Sequence, residues 1–349
     1  MKKILITGSS GLIGSEAVDF FSKKKFKIFA LDNDFRGKIF GKEYSTKKIL
    51  KVQRNIYKNI KYINVDICNF FKLRNIFLKN KFDVIIHTAG QPSHDWSAKD
   101  PILDFKVNAL ATLNLLELTR IFSPKAVFIF TSTNKVYGDT PNYLSGLKEL
   151  KTRFDVFSKK KLYSINESMS LDHSKHSPFG VSKLAADVMV QEYGKYFNIK
   201  TVSFRCGCLT GPNHQGAELH GFLSYLVKCI VNNKPYTIYG HKGKQVRDNI
   251  HSYDLVNMFW HYLKKPGYGD VFNAGGGRKN SISILEAINL IKSIAKKDWN
   301  KLKFVNTKRK GDHAWYVTDL NKFSKKFPKW KIKYSLKETI KQIIDANQK

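Results

Sequence analysis

The residues best suited to chemistry open the chain. Lys3-Ile4-Leu5-Ile6-Thr7 leads into Gly8-Ser9-Ser10-Gly11-Leu12-Ile13-Gly14. The first run is β-branched and aliphatic, the pattern of a strand buried on both faces. Glycines at a spacing of three follow, then a helical pattern carried by Leu12, Ile13, Ala17, Val18, Phe20 and Phe21. A strand that turns through glycine into a helix presents bare backbone N–H groups at a helix N-terminus, where a pyrophosphate can sit. A second aliphatic run, Lys27 to Asp32, ends in an acid. A carboxylate at that point accepts hydrogen bonds from both hydroxyls of an adenosine ribose, which favours NAD over NADP.

Further polar groups stand where aliphatic runs end. Asp66-Ile67 follows the run Ile60 to Val65 and is placed to meet an adenine. Asp83 to Ala89 leads into Gly90-Gln91-Pro92-Ser93-His94-Asp95-Trp96, where small residues admit a cofactor and the polar cluster faces an active site. Ala126 to Phe130 closes with Thr131-Ser132-Thr133-Asn134-Lys135-Val136-Tyr137-Gly138. Phe179 and Lys183 are four apart and so share one helical face. Arg205 ends a further run, Ile199 to Phe204.

These groups need a scaffold, and the alternation of patterns supplies one. Strand-like runs alternate with helical ones, including Pro101 to Phe122 with its buried side marked by Leu103, Val107, Leu110, Leu113, Leu116 and Leu118. That implies an α/β fold, a Rossmann-type doubly wound parallel sheet whose ligand crevice lies beyond the carboxyl ends of its strands. Asp139 to His176 reads as a long loop before a helix that runs to about Tyr196. Past Arg205 the elements become shorter and more varied: a turn at Thr210–His214, a helix from Leu219 to Val231, a strand from Tyr236 to Tyr239 and a helix beginning near Tyr253. Val271 to Gly277 reads as a last strand returning to the sheet, and helices near 282–295 and 336–346 close the chain. The expected division is a dinucleotide-binding domain of residues 1–205 plus about 248–278. A smaller α+β substrate-binding domain takes 206–247 plus 279–349.

At 349 residues the chain is long enough to divide, since single cores stop growing at roughly 250–300 residues. Its apolar fraction of 42% belongs to a folded chain rather than a disordered one. No apolar run approaches the ~20 residues of a membrane span, and Met1 leads directly into the first strand, so a cytoplasmic protein is expected. Cys68, Cys206, Cys208 and Cys229 form no CxxC pair, and Cys206 and Cys208 would share a strand face; free buried thiols are expected rather than metal ligands or disulfides. The formal net charge of +33 comes from lysines spread in pairs and triplets such as Lys23-Lys24-Lys25 and Lys159-Lys160-Lys161. No helix-turn-helix, RNA-binding or zinc-finger pattern accompanies them, so nucleic-acid binding is not expected as a role, although the charge helps attract a diphosphate.

The motifs together resemble the extended short-chain dehydrogenase/reductases that modify nucleotide sugars. The match runs over the whole chain, from Gly8, Gly11 and Gly14 through Asp32, Asp66, the Ser-Thr strand end and Lys183 to Arg247-Asp248. Ser132 to Asp139 and Gly243 to Asp248 most resemble the CDP-paratose (CDP-tyvelose) 2-epimerase group. The resemblance implies that a bound NAD oxidises a sugar carbon to a transient ketone and reduces it again on its other face. It also implies a homodimer or higher homo-oligomer and a CDP-sugar as the favoured partner. NAD would meet Gly8, Ser10, Gly11, Leu12, Ile13, Gly14, Asp32, Asn33, Asp66, Ile67, Ala89, Gly90, Gln91, Asn108, Thr131 and Lys183. The nucleotide sugar would meet Thr133, Asn134, Arg205, Asn213, His214, Arg247 and Asp312.

In the resembled family a Tyr takes the hydroxyl proton. A Lys four residues later lowers its pKa, and a Ser or Thr holds the reacting oxygen. Lys183 and Thr133 fall on the last two positions, but Phe179 stands at the Tyr, and a phenyl ring moves no proton. His94, Asp95 and Lys135 are the candidate replacements. If none serves, the chain is a related oxidoreductase or a non-catalytic nucleotide-sugar-binding protein. Cys208 stands where the family often has Asn. His313-Ala314 follows Gly311-Asp312 where the family often has Arg, leaving the diphosphate to Arg247 with Arg309 or Lys310. Related dehydratases place an Asp-Glu pair where Asn134-Lys135 stands, so elimination of water is not expected.

Overall fold

Aliphatic runs assemble a central sheet in the computed structural model, which describes residues 1–158, 161–218, 220–307 and 311–348. Five strands come from the first part of the chain: β1 (Lys3–Thr7), β2 (Lys27–Leu31), β3 (Ile60–Ile63), β4 (Val84–His87) and β5 (Val127–Thr133). Strands Lys200–Cys206 and Asp270–Ala274 extend the sheet beyond β5, giving the order Asp270–Ala274, Lys200–Cys206, β5, β4, β1, β2, β3. β1 pairs in parallel with both β2 and β4, so the winding reverses at its end. In an open parallel sheet that reversal opens the ligand crevice. Ile4, Leu5 and Ile6 are fully buried, as a strand covered on both faces requires.

The chain divides into two compact units. The first comprises Met1–Val136, Pro178–Arg205 and Leu255–Phe272, and the second Tyr137–Ser177, Cys206–Asp254 and Asn273–Lys349. The core of the first is built from side chains such as Leu5, Phe29, Ile85, Leu115, Phe128 and Val190. The second has its own core, in which Leu226, Ile288 and Ile340 bring the helices Phe222–Val231, Ile284–Ala295 and Leu336–Gln348 together. Burying one such side chain contributes about 1.5–3 kcal/mol. The helix Ile284–Ala295 starts at a reciprocal cap, in which Ser283 and Glu286 each bond the other's backbone N–H.

Three expectations need correction. Residues 137–177 group with the second unit and are not one loop. They carry a small sheet of strands Leu147–Glu149, Phe154–Ser158 and Lys161–Leu162, and Phe154 N–H donates to the Lys244 carbonyl at 2.9 Å. The helix expected over 101–122 is two α-helices, Pro101–Phe105 and Ala111–Phe122, joined by a π-helical turn at Lys106–Leu110. A wider turn shifts the helical phase, which is why Leu110 is 45% exposed while Leu116 is buried. Cys206 and Cys208 share no strand, because one strand ends at Cys206 and another begins at Cys208. Among the described residues the four cysteines form no disulfide. Among the described residues, no helix is long and apolar enough to cross a membrane.

Candidate functional site

The glycine turn is built as close packing demands. Gly8 has φ +65°, and a Cβ there would lie 2.8 Å from the Ala89 Cα; one on Gly14 would lie 2.0 Å from the Gly8 carbonyl oxygen. A side chain at Gly8 would clash with the Thr88–Ala89 backbone after β4, and one at Gly14 would push helix α1 (Leu12–Lys23) off the end of β1. Gly11 is the residue before that helix, so Leu12, Ile13 and Gly14 form its first turn. The Asp32 carboxylate accepts from the backbone N–H groups of Ser10 and Asp34, both at 2.8 Å. Burial pushes its carboxyl above the ordinary range and these donors pull it back. A cavity of about 300 Å³ opens here, lined by Ser9, Ser10, Asp32, Asn33 and Tyr62 among others. The Ser9 hydroxyl is buried with no hydrogen-bond partner among the described residues. Asp66 accepts from the Cys68 N–H at 2.8 Å and Ile67 is buried. A glycine cradle without room for Cβ atoms, a placed acid and an unspent buried hydroxyl fit a dinucleotide.

Beyond β4, Gln91 and Asn108 lock together: Gln91 N–H donates to Asn108 Oδ1 at 2.9 Å, and Asn108 Nδ2 lies 3.1 Å from the Gln91 carbonyl. Gly90 sits against the same amide, leaving a Cβ only 2.9 Å from Asn108 Oδ1. The Ala89 N–H meets Thr7 Oγ1 at 3.3 Å. Ser93 caps the short helix His94–Lys99, so His94 and Asp95 are not its cap but its first two residues.

β5 runs further than expected and carries Thr131, Ser132 and Thr133 within it. The hydroxyls of Thr131 and Ser132 are buried and without a partner among the described residues. Thr133 Oγ1 accepts from the Lys135 N–H at 3.3 Å and lies 3.4 Å from Asn134 Oδ1. On the helix Ser177–Tyr196, Phe179 and Lys183 are both buried. The Lys183 ammonium donates to the Thr131 carbonyl at 2.8 Å and lies 4.1 Å from the centre of the Phe130 ring. The His94 ring packs on Phe179, centroid to centroid 4.8 Å. The first unit thus brings Phe179 and His94 together, and Lys183 with the end of β5.

Arg205 is a correction. It lies inside the strand Lys200–Cys206, nearly fully buried, with Nη2 3.0 Å and Nε 3.3 Å from the two oxygens of Asp187, itself fully buried. The guanidinium neutralises an internal carboxylate and is committed inside the fold rather than standing open at the strand end.

In the second unit the Arg247 guanidinium donates to the Val246 carbonyl at 2.7 Å and pairs with Asp312. Its neighbour Asp248 is fully buried and accepts the N–H groups of Gly277 at 3.0 Å and Thr318 at 3.1 Å; burial pushes its carboxyl up to about 6. Asn213 and His214 lie after Gly211, and the His214 ring stands edge-on to His220 at 5.6 Å. His313 is buried, donates from Nε2 to the Gly138 carbonyl at 2.7 Å and stacks on Tyr316. Arg309 and Lys310 lie outside the described residues. Among the described residues no His, Cys, Asp and Glu cluster suits a metal.

A profile of the NAD-dependent epimerase/dehydratase family matches residues 4–275. The chain belongs to that family. NAD is accordingly its cofactor, as the glycine cradle and Asp32 fit. The chain is 31% identical over 351 residues to CDP-paratose 2-epimerase of Salmonella typhi, covering 98% of each. Among solved structures, it is similar to UDP-glucuronic acid 4-epimerase of Bacillus cereus in complex with UDP-glucuronic acid and NAD, with TM-score 0.79, 25% identity and 99% of each chain covered. It is similar in fold to dTDP-glucose 4,6-dehydratase of Bacillus anthracis in complex with NAD, with TM-score 0.78, 22% identity and coverage of 100% of this chain and 97% of that one.

Proposed function

We propose that this member of the NAD-dependent epimerase/dehydratase family is a nucleotide-diphosphate-sugar epimerase of the CDP-paratose (CDP-tyvelose) 2-epimerase type, with its general base moved from Phe179 to His94. One observation carries the reading: the His94 ring packs 4.8 Å from Phe179, the residue one helical turn before Lys183. Imidazole exchanges protons nearer neutral pH than any other side chain, which suits the task a phenol would otherwise perform. Bound NAD supplies the reversible hydride acceptor.

In this reading His94 takes the proton of the reacting hydroxyl and returns it when the ketone is reduced. Thr133 hydrogen-bonds the reacting oxygen and Asn134 the sugar. Lys183 holds the cofactor ribose and places a positive charge beside the developing oxyanion. The Gly8–Gly14 turn holds the pyrophosphate, Asp32 the adenosine ribose, and Arg247 the sugar diphosphate, with Asp312 orienting the guanidinium. Asp95 and Lys135 become supporting groups. The relative from Salmonella supports CDP as the nucleotide, and Asn134-Lys135 in place of an acidic pair supports epimerisation over loss of water.

The test is to incubate the purified protein with CDP-, UDP- and GDP-sugars and follow the products by NMR. An epimer should form with no NADH accumulating. A ketone with accumulating NADH would make the chain an oxidoreductase. Phe179 favours one second reading, a binding protein without turnover, in which every sugar binds and none changes.

A further inference from the structure

A fully buried carboxylate stands behind the residues assigned to NAD. Asp104, in the helix Pro101–Phe105, accepts from Gln91 Nε2 at 2.6 Å, from Asn108 Nδ2 at 3.1 Å and from the Ser182 hydroxyl at 2.6 Å. These donors come from three places: the turn after β4, the π-helical turn and the helix Ser177–Tyr196. Ser182 also lies 3.0 Å from the Phe179 carbonyl and 3.2 Å from Asn108 Nδ2. Gln91, Asn108 and Ser182 are each at most 1% exposed, so water cannot replace a lost bond there.

Taking a carboxylate out of water costs several kcal/mol unless donors and a counter-charge meet it. Here donors meet both oxygens; burial still holds the carboxyl above the ordinary carboxylate range, against the pull of Ser182, Gln91, Asn108 and the charge of Lys183, the residue after Ser182. A hydrophobic side chain would hold the helices together more cheaply. What a carboxylate adds is direction: Ser182 fixes the rotation of the helix that carries Phe179 and Lys183, while Gln91 and Asn108 fix the turn containing Gly90. We propose that Asp104 is a positioning residue of the NAD site, holding Lys183 and the Gly90–Gln91 turn in the arrangement that receives the cofactor. The inference rests on the assignment of those residues to NAD and not on which sugar reacts.

Binding of NAD to the full chain, measured by calorimetry well below the unfolding temperature, tests it. Asp104→Asn should weaken NAD by about tenfold or more, the scale seen for supporting shells elsewhere. Ser182→Ala, a smaller change that keeps the fold if Asp104→Asn does not, should weaken it several-fold. Because both act through one bond, the double variant should be no weaker than Asp104→Asn alone. A merely structural role would lower the unfolding midpoint and leave the affinity of the folded protein within twofold; that result overturns the proposal. Asp32→Ala run alongside separates two failures. If it weakens NAD while the Asp104 and Ser182 variants do not, the inference fails and the cofactor site stands. If none of the three matters, the site assignment itself is wrong.

Discussion

In the proposed function, single side chains decide which cofactor binds, where the diphosphate goes and which group moves the proton. Asp32 receives two backbone N–H groups and still has lone pairs for a ribose, but it would repel a 2′-phosphate. Asp32→Ala should therefore weaken NAD and narrow its advantage over NADP; equal affinity of the unmodified protein for both would contradict the assignment. Arg247 is partly buried and already paired with Asp312. Removing one charged partner of a partly buried phosphate costs about 2–5 kcal/mol, so Arg247→Ala should weaken CDP or UDP binding more than tenfold with NAD affinity unchanged. A parallel fall in both affinities would make Arg247 structural. For the proton, His94→Ala should cut turnover by about a hundredfold, within the 10²–10⁴ that a placed base supplies. Phe179→Tyr should bring no gain, since its hydroxyl would enter a contact shaped by the His94 ring. Inert unmodified protein that becomes active as Phe179→Tyr would favour the binding protein.

At the scale of elements, the glycine turn, β1 and the acid after β2 were legible because their spacing follows from close packing and from what a dinucleotide requires. The π-helical turn at Lys106–Leu110 was not, since apolar periodicity continues through it and only Leu110 reveals the changed phase. Asp104 was overlooked for a related reason: an acid one turn before Asn108 looks solvated until a partner such as Ser182, distant in sequence, is known. Arg205 reads the same at a strand end whether it faces a ligand or Asp187. The strands between Leu147 and Leu162 are too short to carry a periodic signal. Asp248 reads in the sequence as no more than the neighbour of Arg247, whereas its burial gives it a measurable role. Its folded pKa of about 6 lies above the ~3.9 of an unfolded carboxylate. The folded chain thus holds the extra proton between about pH 4 and 6. The corresponding stability is present below about pH 4 and is lost as pH rises through about 6. The interval from about pH 4 to about pH 6 corresponds to about 3 kcal/mol of stability. Unfolding followed against pH for the unmodified protein and Asp248→Asn should differ by a term that falls over that window. Parallel curves would mean that Asp248 keeps an ordinary pKa.

For the whole molecule, the central claim is that one hydride leaves a sugar carbon and comes back to its other face within a single NAD-bound turnover. Family membership, the glycine cradle, Lys183 one helical turn after Phe179 and His94 against that ring all bear on the proposed cycle, and a formal net charge of +33 would help attract a diphosphate. The direct measurement uses the nucleotide sugar identified by the product screen, carrying deuterium at the reacting carbon, in ordinary water. The account predicts an epimer that keeps its deuterium at that carbon while the cofactor pool stays oxidised. Deuterium lost to solvent, or left on the cofactor beside a ketone product, would contradict it.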